Sequence, residues 1–476
     1  MKTHTLVSGL LALGLFFGGC ANPAPSLTSL DPAWRVAHMP TFTLTVTGED
    51  FVPESVIVFN GVEKLTEHLG SNELSCEIFP EEIALGPDAI PVLVRTPEPG
   101  GGDSETLTFT VQSNHTFTPP LYVSNTPDDS THPNLTVNGE GDLNVVWVDF
   151  SAENFEIFHS RSKDGGLDWS SPVNVSNTPS RSEVAAIAAG PEGDLRVVWF
   201  EDVAGNLEIY ATRSEDEGDS WSTPENVSEN PTPSLIPRIA VDGDGTVHVV
   251  WHDGPPGQEE VLYRGATDGG DAWGSSLNLS LTPDPSRLPD ISADGEGGIH
   301  VVWCEDGTGG GAVFYRRSTD GGLVWDPTLQ LAATSGVSPD PRIACGSAGT
   351  VFVAYLAAGG NDPDVHFIRS SDGGSSWSAP MNVSRTDDES LNPSLAVDSA
   401  DNLNLVWSEH SAGTFDVLFR RSVDGGFTWT DPKNLSQNAS HSIRCRIVAD
   451  SLGHLGVVWN DNLPGYYGIY FSGSLR

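Results

Sequence analysis

The sequence predicts an all-β protein in which a small strand-rich domain precedes a larger ring of repeated four-stranded units. Three observations predict it: short runs of alternating apolar and polar residues over the first hundred positions, 51 glycines and 34 prolines that punctuate the whole chain, and a sevenfold internal repeat of 52 residues. The chain has 476 residues, 65 acidic against 23 basic, and a formal net charge of −42. Such a charge repels phosphate backbones, so nucleic acid is excluded as a partner. No cofactor is expected.

Residues 1–20 read as an address. Lys2 supplies a charged start, Leu6 to Phe17 form an apolar run too short for a permanent membrane span, and Phe17-Gly18-Gly19-Cys20 follows. The small pair before Cys20 resembles the bacterial lipobox, which implies lipidation at Cys20. It also implies tethering to a membrane of the bacterial cell envelope, facing the periplasm or exterior. Cys76, Cys304, Cys345 and Cys445 are too few and too scattered for a disulfide framework and are expected to be free.

Residues 25–112 carry the first domain. Phe42 to Val46 and Ser55 to Phe59 alternate as half-buried strands, and Asn60-Gly61 is a favoured hairpin turn. The segments Ser29-Leu30-Asp31-Pro32, TLTVTGEDFVPESVIVFNG at 43–61, LSCEIFP at 74–80 and VLVRTPEPGGGDSETLTFTV at 92–111 resemble an IPT/TIG domain. That resemblance implies an immunoglobulin-like sandwich serving as spacer or binding module. Residues 113–120 are expected to form a polar linker.

From 121 to 476 three series share the 52-residue period. The first is SKDGGLDW, SEDEGDSW, ATDGGDAW, STDGGLVW, SSDGGSSW and SVDGGFTW, with aspartates Asp164, Asp216, Asp268, Asp320, Asp372 and Asp424. The second is a Val-Val-Trp-like strand at Trp147, Trp199, Trp251, Trp303, Tyr355, Trp407 and Trp459. The third is an Asn-Val-Ser-like strand at Ser124, Ser176, Ser228, Ser280, Ala332, Ser384 and Ser436. Four short strands per unit, as in Val184–Ala188, Leu195–Phe200, Glu208–Thr212 and Glu225–Val227, are the signature of a β-propeller blade. The Ser-x-Asp-x-Gly-x-x-Trp pattern is the Asp-box, and the units resemble BNR/sialidase repeats; Ala266 replaces the usual serine in the third.

Seven second strands but six boxes need an explanation. The domain opens on a fourth strand, Leu121–Asn125, and ends on a third, Gly468–Ser472. A seventh blade is complete only if these two pair, which closes the ring, hides both edges and removes the seventh box. Seven blades are therefore expected.

The box aspartates are expected to cap their own turns. Hairpins such as Asp242-Gly243-Asp244-Gly245 lack the later acid of a calcium loop, so no metal is assigned. Function is sought where the repeat breaks symmetry. After the second strand stand Asp149, Glu201, Asp253, Glu305, Ala357, Glu409 and Asp461; nearest the axis stand Asn134, Ala186, Arg238, Asp290, Arg342, Ser394 and Arg446. Either the acids neutralise the arginines, or Arg238, Arg342 and Arg446, with Asp290 beside them, converge on an anionic ligand, since guanidinium matches carboxylate bidentately. Arg342, whose own unit has Ala357 in place of the acid, is expected to be the free one. The resemblance to sialidases implies a carboxylate held by three arginines. However, no motif ties Tyr466, Tyr467 or Tyr470 to a glutamate, and no unit carries an inserted loop. The sequence thus reads as a lipid-anchored protein binding a glycan or a protein without catalysis; the alternative is an exo-sialidase-like glycoside hydrolase using the arginine cluster.

Overall fold

The structure is a computed structural model that describes residues 22–474, except 37–40, 80–81, 84–88, 113–115, 151–153, 271, 308–309, 335–336, 348, 359–361, 387, 412 and 464. Cys20 and its apolar leader lie outside the described residues. The chain divides into two compact units, 1–114 and 115–476. No helix among the described residues is long and apolar enough to cross a membrane.

In the first unit, one sheet orders Ser26–Asp31, Phe42–Glu49, Glu73–Ile78 and Thr66–Gly70, and the other contains Trp34–Val36, Leu107–Gln112, Ala89–Thr96, Val56–Phe59 and Val62–Glu63. The period-2 pattern turns Leu44, Val46, Leu74, Ile57, Phe59, Val92, Val94 and Phe109 into one shared core. Asn60 and Gly61 make the tight hairpin with φ of 51° and 78°.

The second unit contains seven sheets built on one plan. In the second sheet, Ser182–Ala189 pairs Leu195–Val203, which pairs Asn206–Ser214, which pairs Glu225–Asn226, all antiparallel. The third sheet adds a two-residue strand, Ala272–Trp273. The first strand of each sheet lies against the first strand of the next, and that of the seventh against that of the first. The second strands are buried except at the far ends of some, with Trp147, Trp199, Trp251, Trp303, Tyr355, Trp407 and Trp459 filling the space between sheets.

The seventh sheet draws on both ends of the unit: Leu121–Tyr122 pairs antiparallel with Gly468–Gly473, Leu121 opposite Phe471 and Tyr122 opposite Tyr470. Residues that the sequence placed in a linker take part. Phe117 bridges Ser474, and Thr118 accepts from the Ser472 hydroxyl at 2.7 Å.

Cys76, Cys304 and Cys445 are buried free thiols and Cys345 is half-buried. Burial raises the Cys76 thiol to about 11 and Cys304 to about 12, so both stay protonated and inert.

Candidate functional site at the axis of the seven sheets

The box turns and the hairpins between first and second strands share one end of the sheets. Each box aspartate serves its own turn: Asp164 accepts from the Leu167 and Asp168 amides at 2.9 and 3.0 Å, and Asp372 from the Ser376 amide at 2.8 Å and the Ser370 hydroxyl at 2.7 Å. Asp216, Asp320 and Asp424 repeat the pattern; the side chain of Asp268 lies outside the described set. The Ser220 and Ser376 hydroxyls and amides hold Asp216 and Asp372 down to about 2. The box tryptophan packs on the preceding sheet, Trp377 on Tyr315 with ring centroids 5.0 Å apart and Trp169 on Phe471 at 5.2 Å. Beneath each tryptophan the box glycine has positive φ, 83° at Gly374, and a Cβ there would collide with the Tyr315 hydroxyl.

The axial positions are made differently. Residues two before them all have positive φ: His132, Val184, Ile236, Leu288, Asp340, Asn392 and Arg444, between 37° and 58°. The ladder skips register at this point in six sheets, for example between Leu235 and Arg238. It is a β-bulge, and Pro133, Pro237, Pro289, Pro341 and Pro393 fit its unpaired position because proline has no N–H to leave orphaned. Val184 and Ile236 are β-branched residues in left-handed backbone, a local strain that the surrounding sheets hold in place.

The bulges aim one side chain per sheet into a cavity of about 140 Å³ lined by Asn134, Ala186, Arg238, Asp290, Arg342, Ser394 and Arg446. The structure therefore brings together all seven positions that the repeat arithmetic aligned. The three guanidinium groups adopt one conformation: Arg238, Arg342 and Arg446 each donate Nη1 to the carbonyl of the preceding residue, at 2.9, 2.9 and 2.8 Å. Their remaining partners differ. Arg342 Nη2 lies 2.9 Å from Asp340 Oδ1, while its Nε is buried without a partner. Arg238 Nε lies 3.7 Å from Asp290 Oδ1, and Asp290 Oδ2 accepts the Ile343 amide at 3.0 Å. Arg446 has no carboxylate within ion-pair distance among the described residues. Burial, with the Arg342 and Arg238 charges beside it, pushes Arg446 down to about 9, and burial with Arg342 nearby pushes Arg238 to about 10. Burial and the Arg444, Arg446 and Arg238 charges keep His132 neutral, down to about 3.

Two sequence expectations are overturned here. Arg342 is not the free arginine; it pairs with Asp340, the left-handed residue just ahead of its own strand, and Arg446 is the one without a carboxylate partner. Nor do the acids after the second strands neutralise the arginines. Trp199 Nε1 donates to Glu201 at 2.9 Å, Trp407 to Glu409 at 2.7 Å and Trp147 to Asp149 at 3.0 Å, while Ser234 and Ser442 donate to Asp253 and Asp461 at 2.7 Å. A tryptophan and an acid two residues apart share one face of a strand, so the acid is a buried acceptor for its own sheet. The sequence carries the signal: where Trp becomes Tyr355, the acid becomes Ala357. Tyr470 is buried against Trp459, and among the described residues no glutamate hydrogen-bonds to Tyr466, Tyr467 or Tyr470.

No family model matches the chain. Over 345 residues it is 25% identical to a xyloglucanase of a Paenibacillus species, matching 62% of this chain and 32% of that protein. The chain thus spans about a third of that relative. A Hadza microbial sialidase is 14% identical, with a TM-score of 0.47, over 84% of this chain and 76% of its own. An ulvan lyase, a polysaccharide lyase, superposes with a TM-score of 0.52 at 11% identity over 75% of this chain and 93% of its own; that likeness, with the sheet order above, assigns the second unit a β-propeller fold.

Proposed function

We propose that the chain is a glycan-acting seven-bladed propeller, closed by its two terminal strands and preceded by an immunoglobulin-like domain, that holds an acidic saccharide at its axial arginines. The pairing of Leu121–Tyr122 with Gly468–Gly473 supports the closure, and the two sheets around one core support the sandwich. Arg446 carries the functional reading. A chain of net charge −42 gathers three of its 23 cationic residues in one small cavity and leaves one half-buried guanidinium without a carboxylate. A half-buried charge crowded by two like charges is unfavourable until a ligand neutralises it, and a carboxylate or sulfate does so bidentately. The xyloglucanase relative supports saccharide as the ligand class. It also favours a second reading, hydrolysis of the bound glycan, in which Asp290 and Asp340 are the carboxylates beside the arginines.

A glycan array containing uronic, sialic and sulfated saccharides, run beside fluorogenic glycosides including a sialoside, tests both. Acidic glycans are expected to bind wild type and not Arg446→Met. Binding unchanged in that variant rejects the site, and binding without any product release rejects the hydrolytic reading.

We further propose that lipid on Cys20 tethers the protein to the bacterial envelope, on the support of Phe17-Gly18-Gly19-Cys20. A palmitate analogue is expected to label wild type and not Cys20→Ala; equal labelling rejects the anchor.

A further inference from the structure

The repeat leaves an imprint at the other end of the sheets. Where second and third strands meet the box turn, six sheets carry at least one large side chain on the paired rung: Arg161, Arg196, His248, Arg317, Arg369 or Arg421. The seventh rung is Gly456 opposite Gly473.

Four of those arginines cross to the next box turn and donate to the carbonyl of its fourth residue. Arg161 reaches Glu217 at 2.8 Å, Arg196 reaches Gly269 at 2.5 Å, Arg369 reaches Gly425 at 2.7 Å, and Arg317 reaches Gly373. The equivalent carbonyl of the first box, on Gly165, receives no arginine among the described residues. It faces Gly473, where a Cβ would stand 3.1 Å from it. A cavity of about 260 Å³ remains between the seventh and first sheets, with Val137, Leu143, Val448 and Leu455 among its walls and Asp450 and Gly165 among its polar lining. Asp450 Oδ2 is shared with His454 Nδ1 at 2.7 Å.

The missing group is an arginine side chain, and what is left suits one: an apolar channel for the stem, a backbone acceptor and a carboxylate for the head, in a strongly anionic chain. We propose that this seam cavity binds a small organic cation with an alkyl stem and a guanidinium head.

Agmatine, with N-butylurea as its neutral counterpart, is the probe for isothermal titration at low ionic strength. Agmatine is expected to bind one to one and N-butylurea at least tenfold more weakly. Asp450→Asn is expected to weaken agmatine at least tenfold. It keeps the turn, because Asn138 at the same place in the first sheet accepts the Glu140 and Asp142 amides at 3.0 and 2.9 Å. Gly473→Arg supplies the missing side chain and is expected to abolish binding; if it does not fold, Asp450→Asn decides. Arg446→Met, altered only at the axis, is expected to bind agmatine as wild type does. The proposal is overturned if wild type does not bind agmatine, if N-butylurea binds equally, or if Asp450→Asn changes nothing.

Discussion

The box turns and the axial bulges recur with the same period and are used in opposite ways. At the boxes, both backbone and side chains repeat: Asp164, Asp320 and Asp372 accept the same amides, and Trp169, Trp325 and Trp377 cover the same neighbours. At the axis only the backbone repeats. One left-handed residue two positions earlier introduces asparagine, alanine, serine, aspartate and three arginines alike. Identical side chains on identical backbone mark what holds the sheets together, and different side chains on identical backbone mark the positions proposed to face a ligand.

Substitutions in both regions probe that contrast, and the largest effect belongs to the repeated part. Trp407→Ala empties a fully buried site and is expected to cost ~3–5 kcal/mol in chemical denaturation. The pair Trp407→Tyr with Glu409→Ala copies Tyr355 and Ala357. It is expected to cost less than the sum of its single changes, because each single change orphans a partner; additive costs would reject the acceptor role of the acid.

Gly374→Ala, at positive φ beneath Tyr315, is expected to cost ~1–3 kcal/mol. Ser394→Ala, at the axis, removes one hydrogen bond to the Ile447 amide and is expected to cost ~0.5–1.5 kcal/mol. An axial cost equal to that at the box would erase the distinction between the two regions.

Acid sensitivity sharpens it further. Burial, with Arg161 adding to it, holds His159 neutral down to about 3. The unfolded chain takes up that proton near ~6.5. Unfolding therefore binds a proton between those limits, and stability falls as pH drops through the window. His159→Phe, matching Phe367 and Phe419 at the same place, is expected to flatten the slope by about one proton in melts between pH 7 and 4. An unchanged slope would place the acid sensitivity elsewhere.

The smallest change in stability is expected at the axis itself. Arg446→Met removes a half-buried charge that has no carboxylate partner and is expected to leave the melting temperature level or raise it; sulfate is expected to raise the melting temperature of wild type more than that of the variant. A large loss of stability would show that Arg446 is structural.

Strand positions, the period of 52 and the seven axial residues were legible because each depends on local pattern and counting. The pairing of charges was not. Asp340 stands in left-handed backbone just ahead of its sheet's first strand and within reach of Arg342, and a positive φ is invisible to period-2 reasoning. The acid ring was misread although its signal was present, since Trp407 and Glu409 lie on one strand face and change together in the fifth unit. The seam cavity was legible only as two glycines, Gly456 and Gly473, whose opposition across a rung needs the register.

The joint between Leu121 and Phe471 spans 350 residues of chain, and time is what it costs. A ribosome exposes the first of these strands long before the second exists, so Leu121–Tyr122 waits without a partner while the seventh sheet is still being made. Any chain that stops short of Gly468–Gly473 leaves Leu121–Tyr122 in that condition permanently, which makes this pairing a mark that the seventh sheet has been reached.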